Sequence, residues 1–291
     1  MKIDKKLFKQ ICEVQTVSYL TDDMQDFVCN WLHVNKLPYD EDEKGNIYVN
    51  RDLKDVPCIV AHLDTVHDIV SNLTVFQSGD IWTGINIEDM TQTGIGGDDK
   101  CGIYIALEML KIHDIKAAFF VDEEVGCIGS FNADMTFFKD CLYVLQCDRR
   151  GNNDFVTNIS GEISSKKFQT DIKPILAKYC YKFSNGMITD VGQLAENKIG
   201  ISTANISCGY YNPHQDNEYI NLADMLNCME LVNSIFTSLI DYYPHKFKDT
   251  WKARIYGKPA TKWNSIYWDK YDEDLQARKD EFNKTGGWQP F

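Results

Sequence analysis

With 291 residues, 44% of them hydrophobic and 25% charged, the chain is long enough for one large soluble domain or two small ones. Its net charge of -13 disfavours nucleic acid, whose phosphates this surface would repel, and no local basic patch offsets it. No apolar run approaches the roughly 20 residues of a membrane span, and MKIDKKLFKQICEVQ lacks the uninterrupted apolar core of an export signal. Ten cysteines without a C-x-x-C pair, most of them inside apolar runs, predict reduced buried thiols and a cytoplasmic setting.

In chain order, Leu7, Ile11 and Val14, then Met24, Phe27, Val28 and Leu32, recur at helical spacing. Two helices are predicted, separated at TVSYLTDD, the second capped near Thr21 with acids in its first turn. The Lys-Gly-Asn turn of EKGNIYVN leads into a short strand. CIVAH is continuously apolar and rich in β-branched residues, as a central strand covered on both faces should be. LTVFQSGDIWTG predicts a hairpin turned at Ser78-Gly79-Asp80, and DKCGIYIALEMLKIH an amphipathic helix. AAFFV and LYVLQC are further strands, with SFNADMTFFKD between them as a helix capped by Ser130. DVGQLAEN (helix), IGISTANIS (strand) and a long amphipathic helix over NLADMLNCMELVNSIFTSLIDYY complete the pattern. Strands alternating with helices predict an α/β fold: a doubly wound, mostly parallel sheet with helices on both faces. Residues 1–244 form the expected main domain. The extension 245–291 is rich in aromatics and charge, too much so for a disordered tail, and is expected to pack on the domain or on another subunit.

Acids and histidines stand where the predicted strands end. His62 and Asp64 follow CIVA; Asp122, Glu123 and Glu124 follow AAFFV; Asp148 follows LYVLQC; His214 lies past IGISTANIS. Asp98 and Asp99 sit in the loop GIGGDDKCG. In a doubly wound sheet the carboxyl ends of the strands line one crevice, so these residues should converge. Two imidazoles and several carboxylates suit Zn2+ or a similar divalent ion. A carboxylate shared between two ions makes a two-metal site, and one acid beyond the ligand set is left to shuttle protons.

The motifs HLDTV, GGDDKCG, DEEVGCIGS, CDRRG and NPHQDNE, in that order, resemble those of the co-catalytic zinc peptidases of the peptidase T type, over roughly residues 1 to 240. The resemblance implies that His62 and Asp148 bind one zinc, Glu124 and His214 the other, and that Asp98 bridges both, with Co2+ or Mn2+ as alternative ions. Asp64 would hold the far ring nitrogen of His62, the intervening Leu63 putting both side chains on one side of an extended backbone. Glu123 would be the general base. The Asp98–Asp99 peptide bond is expected to be cis. An aspartate at position 148 resembles the aminopeptidases and tripeptidases of the group, which favours release of a free N-terminal residue from a short peptide. An amidohydrolase of N-acyl amino acids and an inactive binding or scaffold protein are the alternatives. The expected partners are a short peptide substrate and further copies of the chain in a homo-oligomer, with no nucleic acid and no membrane.

Too few residues separate Asp148 from His214 for the lid and dimerisation domain that peptidase T inserts there, so no lid is expected. The aromatic extension is expected to replace it in part. Among the remaining polar residues, Asp99 and Lys100 are read as capping and solvating a helix start, Asp122 as a turn acid and Asp190 as a helix N-cap. Glu218 and His67 are expected beside the site or in solvent. Arg149 and Arg150, next to Asp148, are candidates for a substrate carboxylate.

Overall fold

The computed structural model describes residues 1–248. Of the predicted extension only residues 245–248 are included, so the expectation that it covers the site lies outside the described residues. The chain begins with α1 (Lys5–Glu13), α2 (Asp22–Val34), β1 (Tyr39–Glu41), β2 (Ile47–Val49), β3 (Val56–His62), β4 (Leu73–Ser78), β5 (Ile81–Asn86), β6 (Thr91–Thr93) and α3 (Gly97–Leu110). It continues with β7 (Lys116–Phe120), α4 (Ile128–Phe131), β8 (Cys141–Arg149), β9 (Asp154–Asn158), α5 (Lys166–Lys178), β10 (Lys182–Asn185), α6 (Asp190–Glu196), β11 (Thr203–Ser207), β12 (Tyr210–Tyr211), β13 (Tyr219–Asn221) and α7 (Leu222–Ser238).

An eight-stranded sheet runs β1-β2-β7-β3-β8-β11-β9-β10, and its central four strands are mutually parallel. The predicted CIVAH strand lies in the middle, hydrogen-bonded on both sides. Because side chains alternate across a strand, Ile59 and Ala61 enter the core beneath α1, α3 and α7. Cys58 and Val60 enter a second core on the opposite face, shared with α6 and with Ala133, Phe137 and Phe138 from the segment that follows α4. Helices therefore cover both faces, as doubly wound topology requires. Each fully buried aliphatic side chain contributes about 1.5–3 kcal/mol, which makes these two cores the main stabilising term. A second, five-stranded antiparallel sheet, β12-β13-β5-β4 with β6 beside β5, contains the predicted hairpin. All ten cysteines are free thiols.

Several local expectations are corrected. Helix α3 is not amphipathic: every residue except Asp98 and Glu108 is buried, because α1, α7 and β12 cover the side turned away from the sheet. Helix α4 is a single short turn, with Cys127 at its N-cap and Ser130 inside it. It stops early because the Asp134 carboxylate accepts from the amide and hydroxyl of Thr136, a local turn that competes with helix. Thr21 does occupy the N-cap of α2 but makes no side-chain cap bond; Asp22 and Asp23 supply charge at that end. Between Asp148 and His214 the chain builds β9, β10 and β11, all of which join the main sheet, so no lid is inserted among the described residues. Nor is any described helix long and apolar enough to cross a membrane.

Candidate metal centre

The carboxyl ends of β3, β7 and β8 lie side by side, so His62, the Asp122–Glu124 turn and Asp148 meet at one edge of the sheet. Asp98 arrives from the start of α3, whose N-cap Gly96 adopts a left-handed φ of 70° that costs glycine little. The Asp98–Asp99 peptide bond is cis, as the resemblance implied.

Asp98 divides its carboxylate between two histidines. Its Oδ1 lies 3.1 Å from His62 Nε2, and its Oδ2 lies 3.5 Å from His214 Nε2. Asp148 Oδ1 is 3.7 Å from His62 Nε2, and Glu124 Oε1 is 3.1 Å from His214 Nε2. Ligand atoms of His62, Asp98 and Asp148 all lie within 4.8 Å of one another, and so do those of Asp98, Glu124 and His214. The two sets of three share Asp98. Glu124 Oε1 is buried and has no hydrogen bond, despite the imidazole nitrogen beside it. Two lone-pair donors aimed at one space without hydrogen-bond geometry, in a set made only of imidazoles and carboxylates, fit a divalent cation such as zinc.

Asp64 does more than the sequence suggested. His62 Nδ1 faces both the main-chain carbonyl of Asp64, at 3.0 Å, and its Oδ1, at 3.3 Å. Two acceptors there place the proton on Nδ1 and turn the Nε2 lone pair towards Asp98 and Asp148. The same buried carboxylate accepts from Ser18 Oγ and from the main-chain amides of Glu123 and Glu124. It therefore sets the turn that carries the proposed base and one proposed ligand.

Asp99 and Lys100 are buried rather than solvated. Asp99 caps α3 through Gly102 N–H and also accepts from His62 N–H. Lys100 donates to the carbonyls of Cys12 and Ile95. Asp122 is a turn acid as expected, with a φ of 55° and an oxygen 2.6 Å from Tyr19 N. Asp190 is not the N-cap of α6; Thr189 is. Asp190 is buried, accepts from Gln146 Nε2 through one oxygen, and leaves the other without a hydrogen bond.

Sequence reading missed the uncharged residues that fix Asp148. Gln146 Nε2 and Thr189 Oγ1 donate to its Oδ2 at 3.0 and 2.9 Å. Tyr210 OH donates to its Oδ1, and Asn205 Oδ1 accepts from its amide. The one available signal was Gln146 itself, a polar residue inside the apolar run LYVLQC and on the same strand face as Asp148.

The cluster opens into a hollow of about 410 Å3. One wall is apolar (Val156, Ile159, Met187, Ile188), and Arg149 and Arg150 stand at its rim. Arg149 is engaged by Asp154 at 3.3 Å, whereas Arg150 is exposed. A larger hollow of about 760 Å3, beside the N-terminus and the start of α7, shares no residue with the cluster.

The charge balance of this edge is adverse without a cation. Burial pushes the Glu123 carboxyl well up; the Asp148, Asp190 and Glu124 charges add to this and His62 opposes it. Burial and the Asp98 charge raise Asp148 to about 8. The Asp98 and Glu124 carboxylates beside its ring raise His214 to about 10. Burial alone would raise Asp98, but the His214 and His62 imidazoles beside it outweigh burial and hold that carboxyl well down.

Asp148 and His214 thus bind protons more tightly folded than unfolded. Their contribution to the metal-free chain is complete at low pH. It is lost as pH rises, from about 4 to 8 for Asp148 and from about 6.5 to 10 for His214. A divalent ion competes with those same protons. Added Zn2+ is therefore expected to raise Tm more at pH 8 than at pH 6 by scanning calorimetry. Equal shifts at the two pH values would contradict this.

No protein-family model and no curated protein matches the chain. Solved structures do. The aminopeptidase PepT of Bacillus cereus ATCC 10987 is 13% identical, with a TM-score of 0.65 over 80% of this chain and 97% of that one. A tripeptidase of Staphylococcus aureus subsp. aureus Mu50 is 13% identical, with a TM-score of 0.64 over 81% and 97%. An aminopeptidase of the archaeon Desulfurococcus kamchatkensis is 15% identical, with a TM-score of 0.62 over 79% and 93%. The chain therefore has the fold of the PepT-type aminopeptidases and tripeptidases, and the resemblance read from its motifs is borne out at the level of fold.

Proposed function

We propose that the protein is a metal-dependent aminopeptidase that removes the N-terminal residue from short peptides. The observation that carries this reading is Asp98, whose two oxygens face two separate histidines, each backed by a further carboxylate. That arrangement supports a site for two divalent ions, zinc being the best match to the donor set. Likeness of fold to aminopeptidases and a tripeptidase points the same way.

His62 and Asp148 would hold one ion and Glu124 and His214 the other, with Asp98 common to both. Bound there, the pair supplies Lewis-acid polarisation of the scissile carbonyl and lowers the pKa of a water molecule. Glu123 lines the same hollow, and neither set of three contains it. It is thus free to take a proton from the attacking water and deliver it to the leaving amine. Asp64 keeps Glu123 and Glu124 in place through their main-chain amides. The hollow suits a peptide of a few residues, and its apolar wall suits an aliphatic or aromatic side chain.

The test compares Leu-Gly-Gly with its N-acetyl form, using the Zn2+-loaded protein. The free peptide is expected to be hydrolysed, and blocking its amine to reduce kcat/KM at least about 100-fold. Preference for the acetylated substrate would instead support an N-acyl amino acid hydrolase. Hydrolysis of neither, by a chain that binds metal, would favour a scaffold.

A further inference from the structure

Glu218 lies four residues beyond His214 and is completely buried. A buried carboxylate persists only where donors compensate its lost hydration, and each donor here comes from a segment that also shapes the cluster. Its Oε2 accepts from Gly96 N–H at 2.7 Å and from His67 Nε2 at 2.8 Å. Its Oε1 accepts from the amide of Asp98 at 3.2 Å. Its own N–H closes back on the Gln215 carbonyl at 2.9 Å, which tightens the loop that carries His214. His67 is itself held close against Gly94, where a Cβ would come within 2.0 Å of the ring. One carboxylate therefore ties the main chain of Asp98 to the base of the His214 loop. These are the two residues that would have to stay in register around the second ion. The first set has separate supports: Asp64 on His62, and Gln146, Thr189 and Tyr210 on Asp148.

Resting on the metal-centre reading above, we propose that Glu218 is a positioning residue. It holds Asp98 and His214 at the spacing the second ion requires, with His67 fixing its orientation. Glutamine cannot replace it. Both oxygens already accept from main-chain N–H groups, so an amide NH2 in either place sets donor against donor and releases Gly96 or Asp98. Partners that orient metal ligands in this way typically contribute 10–100-fold to metal affinity.

The test is a calorimetric titration of Zn2+ into the full chain stripped with chelator, with Tm recorded alongside. The wild type is expected to bind two ions. In Glu218→Gln the site that also uses Glu124 and His214 should weaken by about 10–100-fold and the other, which shares Asp98 but keeps its own supports on His62 and Asp148, by clearly less, and high Zn2+ should restore kcat without a change in KM. His67→Ala removes one donor and leaves both amide contacts. It should show the same selective weakening to a smaller degree, and it decides the matter if Glu218→Gln does not fold. Two ions in the wild type with no selective weakening in the folded variants, or equal weakening of both sites in step with Tm, would overturn the role of Glu218. A wild-type chain that binds no ion would overturn the metal-centre reading, and this proposal with it.

Discussion

Glu123→Gln is expected to bind the same number of metal ions as the wild type and to lose at least about 100-fold in kcat, the range over which a positioned general base contributes. The substitution preserves shape. The main-chain N–H of Glu123 still donates to Asp64, so the turn that also carries Glu124 keeps its anchor. What disappears is the only carboxylate facing the hollow from that turn that is outside both candidate ligand sets. Metal counting by plasma mass spectrometry, paired with peptide hydrolysis, separates the two effects. Retained turnover would remove Glu123 from the chemistry. Loss of turnover together with loss of metal would make it a ligand.

Asp98→Ala should have the larger effect on binding. Removing a ligand from one set alone, as in Asp148→Ala, leaves the other set complete. Removing Asp98 takes a donor from both. Affinity for both ions should therefore fall by more than about 100-fold, beyond the 10–100-fold typical for outer partners of a metal ligand. Asp148→Ala should weaken one ion selectively. Titration of the two variants side by side checks this, and selective loss of one ion in Asp98→Ala would show that its carboxylate is not shared.

Much of this was legible in the residues, for physical reasons that differ from place to place. The strand over CIVAH could be read because a central parallel strand is buried on both faces and must be continuously apolar. The placement of His62, Glu124 and Asp148 followed from topology, since the carboxyl ends of adjacent parallel strands share an edge. Helix α3 misled because its polar residues, Asp99 and Lys100, are satisfied internally by His62 N–H, Gly102 N–H and two carbonyls. Periodicity alone cannot tell such groups from a solvated face. The shell around Asp148 was invisible for a related reason. Gln146, Thr189, Asn205 and Tyr210 carry no charge pattern, and only the register of β8 and β11 brings Asn205 beside Asp148. Glu218 could be read only as lying beside the site or in solvent, because nothing in NPHQDNE shows that its side chain turns inward onto Gly96 and Asp98.

X-ray diffraction from crystals of the full chain soaked in Zn2+, collected on both sides of the zinc absorption edge, asks directly whether one aspartate serves two cations. Two anomalous peaks are expected, one between Asp98 and the His62–Asp148 side and the other between Asp98 and the Glu124–His214 side. A single peak, or peaks that do not touch Asp98, would contradict the shared-carboxylate centre on which the proposed function rests.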